Sequence, residues 1–206
     1  YWTGSKLHVF RRDGAYEKTI KPFPSNLPVE RVKATDAFLN SFGDVNPVSH
    51  RILGLTFYPA EDASHQPAVT SDGRIALMTR VNVYGGVGEG RLAVLDTEGR
   101  TPLADYAVPI LKGSGFTAFA HLAAASDSKA VYATGLGPHN RSGASRPWHA
   151  VYRIELPDRN PAEVFFGEPD KPGNDNAHLN DPRGIACDGK GHLLVADFSN
   201  NRVAVL

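Results

Sequence analysis

The chain has 206 residues, and its 22 Lys+Arg balance its 22 Asp+Glu, so the formal net charge is zero. That balance removes the surplus positive field on which generic nucleic-acid binding depends. A composition 41% apolar and 21% charged is globular, and the single Cys187 excludes both an intramolecular disulfide and a zinc knuckle built from thiolates.

The 20 glycines and 15 prolines imply many turns and short elements. No basic leader with an apolar core opens the sequence, and no apolar run approaches the ~18 residues of a membrane-spanning helix. The compartment stays open, with a secreted or periplasmic one preferred.

In chain order, Lys6–Phe10 and Ala15–Ile20 are predicted as two strands joined at Asp13-Gly14. The second alternates charged and apolar residues, as a solvated edge does. Residues 24–66 are too long for an ordinary connection and are read as an insertion. Within it, Leu27–Ala34 suits a short helix and Arg51–Tyr58 a strand. Strands are then expected near 67–70, 74–79, 91–96 and 102–108. A second set follows near 121–125, 130–134, 150–154 and 162–166. A third lies at 184–187, 192–196 and 202–206, with a polar turn at Asp197–Asn201. Three short antiparallel strands in about 25 residues make most of a propeller blade.

Two landmarks support a repeat. Asp72, Asp127 and Asp188 each precede a turn and stand 55 and 61 residues apart. Val94, Tyr152 and Val205, in the third strands, stand 58 and 53 apart. Near-continuous apolar inner strands and alternating outer ones suit blades stacked face to face. The organisation predicted is the end of a blade at 1–23, an insertion at 24–66, and blades at 67–110 and 116–167. Residues 178–206 then form the first three strands of a further blade.

Residues 181–205 resemble the NHL repeat of six-bladed β-propellers. The resemblance rests on Pro182-x-Gly184-Ile185-Ala186-x-Asp188, Gly191, Leu194–Asp197 and Asn200-Asn201-Arg202-Val203-x-Val205. The upstream copies keep the strand pattern without the Asp-x2-Asn-Asn-Arg signature. The resemblance implies an all-β fold, a β-propeller of NHL or TolB-like six-bladed type with four-stranded antiparallel blades. At a period near 57 residues the chain holds about 3.6 blades, so an incomplete arc is expected. Its exposed edges should favour aggregation, and the remaining blades of a longer chain would be its partners.

In such a blade, the connections entering strand one and those joining strands two and three share one mouth. That groups His65, His121 and His178 with His139, Asn140, Arg141 and His149. The ligand-binding candidates are therefore His121, His139, Asn140, Arg141, His178 and Asp181. The implied function is a binding or scaffold module taking a protein, peptide or glycan through a loop-rich mouth. The alternative is a propeller enzyme, a metal-assisted hydrolase, lactonase or lyase using mouth histidines and carboxylates. A divalent metal is the one cofactor these residues could suit, with Asp175 or Asp181 beside the imidazoles. Lacking H-x-H or H-x-x-x-H spacing, the sequence assigns no residue as a metal ligand, and the catalytic residues stay unassigned. Asp72, Asp127 and Asp188 are read as caps of their own turns. Asp197 and Arg202 are read as a structural pair across the last hairpin. Gly85–Gly90 lacks the Lys-Ser/Thr of a phosphate loop, Asn140-Arg141-Ser142 is a sequon by pattern, and Cys187 is read as a small core residue.

Overall fold

The computed structural model describes residues 2–3, 6–21, 37–39, 45–47, 51–52, 55–56, 67–81, 89–95, 121–134, 149–156 and 162–206. All the regular structure there is antiparallel sheet, apart from one 3-10 turn at Phe198–Asn200. No helix among these residues is long and apolar enough to cross a membrane.

The first sheet is a three-stranded ladder of β1 (Trp2–Thr3), β2 (Lys6–Phe10) and β3 (Tyr16–Lys21). Within 24–66, β4 (Ala37–Leu39) pairs with β5 (Val45–Pro47), and β6 (Arg51–Ile52) pairs with β7 (Leu55–Thr56). The single strand expected at 51–58 is thus two, since Arg51–Ile52 and Leu55–Thr56 pair antiparallel with each other. The helix expected at 27–34 lies outside the described residues.

The insertion also joins its neighbour. In the next sheet, β9 (Ile75–Val81) pairs along its whole length with β10 (Glu89–Leu95). Its other edge is shared: β8 (Ala68–Val69) takes Ile75 and Ala76, while β7 takes Arg80 and Val81. Residues read as lying between blades therefore supply a strand to this one. The outer strand expected at 102–108 lies outside the described residues.

The middle blade is a four-stranded meander of β11 (His121–Ala124), β12 (Ala130–Thr134), β13 (Ala150–Glu155) and β14 (Glu163–Gly167). The last sheet has β15 (Pro182–Cys187), β16 (Leu193–Asp197) and β17 (Arg202–Val205) in sequential order.

Strand periodicity divides the core between two interfaces. Along β13, Ala150, Tyr152 and Ile154 pack with Ala68, Ala76, Leu92 and Val94 of the preceding sheet. Val151, one residue out of phase, packs instead with Leu179, Ile185, Leu193 and Val195 of the following one. Leu122 and Ala123 of β11 split in the same way. Successive side chains of a strand point to opposite faces, so a strand buried on both sides must be apolar throughout. Burial on two faces explains the near-continuous apolar runs. These stacked antiparallel sheets are blades of the β-propeller type.

Four of the turns that join successive strands share one geometry. The amides of Gly14, Gly73, Ser128 and Gly191 donate to the carbonyls of Arg11, Thr70, Ala125 and Asp188. Each of these donors has a positive φ, between 59° at Ser128 and 97° at Gly191. By this geometry Asp188 is equivalent to Thr70 and Ala125, not to Asp72 and Asp127. The landmark at Asp188 is therefore two residues early. All three aspartates do cap backbone: Oδ1 accepts from Arg74 N at 3.5 Å, Lys129 N at 2.9 Å and Lys190 N at 2.8 Å.

A candidate ligand-binding mouth

The residues that fix this site are the signature residues of the last hairpin. Asp197 has no exposed surface, and its carboxyl group accepts three hydrogen bonds. The donors are the Asn180 amide at 2.6 Å, Asn200 Nδ2 at 2.7 Å and Arg202 Nε at 2.7 Å. Arg202 then spends three of its four remaining N–H groups on the carbonyls of Asn174, Asp175 and His178, at 3.0, 2.8 and 2.9 Å. Asn200 reaches the Gly173 carbonyl at 2.7 Å. Asn201, at φ 51°, turns the chain back into β17. The pairing expected across the hairpin exists, and it does more than close the turn. It ties down the connection 173–180, a segment without ladder partners that must satisfy its carbonyls elsewhere.

On this scaffold the mouth side chains are set. The Asp181 amide donates to His149 Nδ1 at 3.1 Å. A neutral His149 accepting there carries its proton on Nε2, an N–H with no partner among the described residues. Asp181 has φ 54°, an uncommon conformation for a side chain other than glycine. Its Oδ2 accepts from both Nε and Nη2 of Arg183, at 3.1 and 2.9 Å. The guanidinium lies 3.7 Å from the ring centroid of Phe198, which is 54% exposed. Behind it, the buried Thr134 hydroxyl donates to the Arg183 carbonyl, fixing β15 to the end of β12. The outcome is a charge-balanced pair, Arg183 with Asp181, lying on an exposed aromatic ring.

His121 opens β11 opposite Thr134, at this same end of the middle blade, and is half-buried. His178 faces elsewhere. Its Nδ1 lies 2.7 and 2.8 Å from the two Asp175 oxygens, and its Nε2 lies 3.0 Å from Glu168 Oε1. Both ring nitrogens of His178 are thus taken by carboxylates. His65, His139, Asn140 and Arg141 lie outside the described residues. Among the described residues no set of three His, Cys, Asp or Glu side chains is arranged to hold a metal ion.

The aspartates of the opposite rim are held by neighbours. Hydrogen bonds from Arg74, then from Thr70, bring the Asp72 carboxyl down to about 2. His192 does the same for Asp188, also to about 2. Burial, then the charge of Asp188, pushes the Cys187 thiol up, so this half-buried group is a poor nucleophile.

Sequence reasoning missed Arg183 and Phe198. Both occupy variable positions of the repeat, the x of Pro-x-Gly and the first x of Asp-x2-Asn. A usable signal was available: the fixed positions hold the backbone, so a variable position beside them at the mouth is free to meet a ligand.

Residues 179–206 match the family model described as NHL repeat. No curated protein matches the chain in sequence. Among solved structures, a gluconolactonase from Xanthomonas campestris is 12% identical with a TM-score of 0.40, aligned over 98% of this chain and 68% of its own. TolB from Acinetobacter baumannii is 12% identical with a TM-score of 0.35, over 98% of this chain and 49% of its own. The chain spans about two thirds of the first and about half of the second.

Proposed function

We propose that this chain is an NHL-type propeller module that takes a protein, peptide or glycan ligand at its mouth, with Arg183, Phe198, Asp181 and His149 making the contact. The observation that carries this reading is the Arg183–Phe198 stack. Arginine and aromatic side chains dominate binding energy where they are exposed and rigid before the ligand arrives. Here the guanidinium is fixed by Asp181 on one edge and by the ring beneath it. Its Nη1 has no partner among the described residues, and the same is true of His149 Nε2. The patch offers donors, acceptors and an apolar face without a net charge. His121, at the same end, extends it toward the middle blade. His139, Asn140 and Arg141 remain candidates on the loop 135–149.

The test is retention on two arrays, one of immobilised glycans and one of immobilised peptides. The unmodified chain is expected to be retained by members of one array. Arg183→Ala with Phe198→Ala should lower that retention at least about tenfold. Val203→Thr, on the outer face of β17, should leave it unchanged. Retention on neither array, or retention that survives the double substitution, overturns the reading.

A further inference from the structure

The connection from β14 to β15 carries a histidine whose two ring nitrogens both meet carboxylates. His178 is only 12% exposed in its side chain, whereas Glu168 and Asp175 are 57% and 61% exposed. Glu168 directly follows β14, and Asp175 lies across the loop. The Asp175 Oδ1 also accepts from the Ala177 and His178 amides, at 2.8 and 3.0 Å. Gly173 lets the ring approach, since a Cβ added there would stand 2.6 Å from His178 Cβ. The loop is folded around this imidazole.

We propose that His178 is a proton-operated clamp on the connection between the middle blade and the NHL blade. The chemistry follows from counting protons. An imidazolium has two N–H groups and can donate to Asp175 and Glu168 together. A neutral ring has one N–H, so its other nitrogen must turn a lone pair toward a carboxylate oxygen. One tie is lost and a repulsion replaces it. The clamp is closed when the ring is charged and half-open when it is neutral.

The surrounding charges agree with this assignment. Hydrogen bonds donated to Asp175 first and to Glu168 second raise the His178 pKa above the ordinary 6.5. The Glu168 carboxyl is held below its usual value by His178 first and Lys171 second. The Asp175 carboxyl is held low by the Ala177 amide first and His178 second. Lys171, 3.4 Å from Glu168, is the cation that opposes the proton on the ring. From β17, Arg202 holds the His178 carbonyl and is itself paired to Asp197. His149 meets the connection through its amide, bonded to the Pro169 carbonyl at 3.1 Å, and through Nδ1, which accepts from the Asp181 amide at 3.1 Å, while Asp170 acts on Tyr152.

The sign is fixed by these directions. A histidine with a raised folded-state pKa contributes stability that is complete below 6.5 and is lost as pH rises through the raised value. The carboxylates contribute only above their own lowered values. The clamp therefore works from mildly acidic conditions up to 6.5 and releases as pH rises through the raised value of His178. Arg202 and Asn200 keep the far end of the connection in place, so release is local and does not unfold the blade.

Two measurements on the full chain test this. Ring nitrogen shifts of His178 should report a doubly protonated imidazole with a midpoint above 6.5. Amide hydrogen exchange should show protection of Ala177 and His178 falling about tenfold or more as pH rises through that midpoint. Protection factors, rather than raw rates, remove the intrinsic alkaline acceleration of exchange. His178→Gln should abolish the pH dependence at Ala177. Glu168→Gln, which alters an exposed partner, should move the ring midpoint downward. A midpoint at or below 6.5, or an unchanged profile in His178→Gln, overturns the proposal. Should His178→Gln fail to fold, an unmoved midpoint in Glu168→Gln overturns it alone.

Discussion

The middle blade and the NHL blade are built on the same strand pattern but are held in place by different forces. The middle blade has four strands and apolar partners on both faces, and nothing resembling the Asp-Asn-Arg signature. Among the described residues the NHL blade has three strands, with one face packed on the middle blade. Ile185, Leu193 and Val195 point to the core, while Leu194, Val203 and Val205 are exposed. This blade uses Asp197, Asn200 and Arg202 to fasten the incoming connection by hydrogen bonds. Apolar packing is non-directional and cumulative, whereas this network is directional and depends on every member. The comparison predicts where each blade is fragile.

The largest effect is expected at Asp197. Alanine there leaves the partly buried Asn180 amide without an acceptor and removes the charged partner of Arg202. Breaking a buried ion pair from one side costs about 3–5 kcal/mol, and the partly exposed Arg202 places this case near the lower end, about 3 kcal/mol. Asp197→Asn keeps one acceptor oxygen for three donors and should recover part of that loss. Urea unfolding of the three proteins measures both steps. A cost under about 1 kcal/mol for alanine would show that the signature is ornamental and the apolar face suffices.

In the middle blade the weak point is a side chain between sheets. Leu122 is 1% exposed, and Leu122→Ala should cost about 2–4 kcal/mol through lost transfer energy and a residual cavity. The matched change on the NHL blade, Leu194→Ala, removes a side chain that is 37% exposed and should cost under about 1 kcal/mol. The same unfolding experiment compares the two. Equal costs would mean that the outer face of β15–β17 is covered in solution, and the asymmetry between the blades would disappear.

How far these features were legible in the sequence depends on what carries the signal. Strand positions and the two-sided burial of β11–β13 were readable, because a short strand that is apolar at every position has no face to give to water. The Asp197–Arg202 pair was readable from a motif in which both residues are fixed. Asp188 was misaligned because identity was matched where geometry decides. A carboxylate can cap the amide two residues on from either of two turn positions, while the positive-φ position is set by the chain reversal. Arg183 and Phe198 gave no repeat signal, since variable positions carry none. The pairing of Leu55–Thr56 with β9 was missed because two residues are too few to show a period. The His178 clamp needed Glu168, ten residues away across a blade boundary, and no local spacing announces such a contact.

The smallest effect expected separates strain from bonding at the opposite rim. Ser128 holds the turn position that is glycine in the other three sheets, at φ 59°. Its hydroxyl lies 2.6 Å from the Ser71 hydroxyl and accepts from the Asp72 amide at 3.3 Å, joining two blades. Ser128→Gly loses these contacts but relieves the left-handed backbone, so its net cost should stay within about 1 kcal/mol. Ser128→Ala loses the same contacts and keeps the strain, and should be worse than glycine by about 1 kcal/mol. Ser71→Ala combined with each change isolates the inter-blade bond, which should vanish as a coupling once either hydroxyl is gone. If alanine and glycine cost the same, the backbone at Ser128 is unstrained. The serine would then hold its place through the bond to Ser71 alone, a polar fastening at the rim of the blade that otherwise relies on apolar packing.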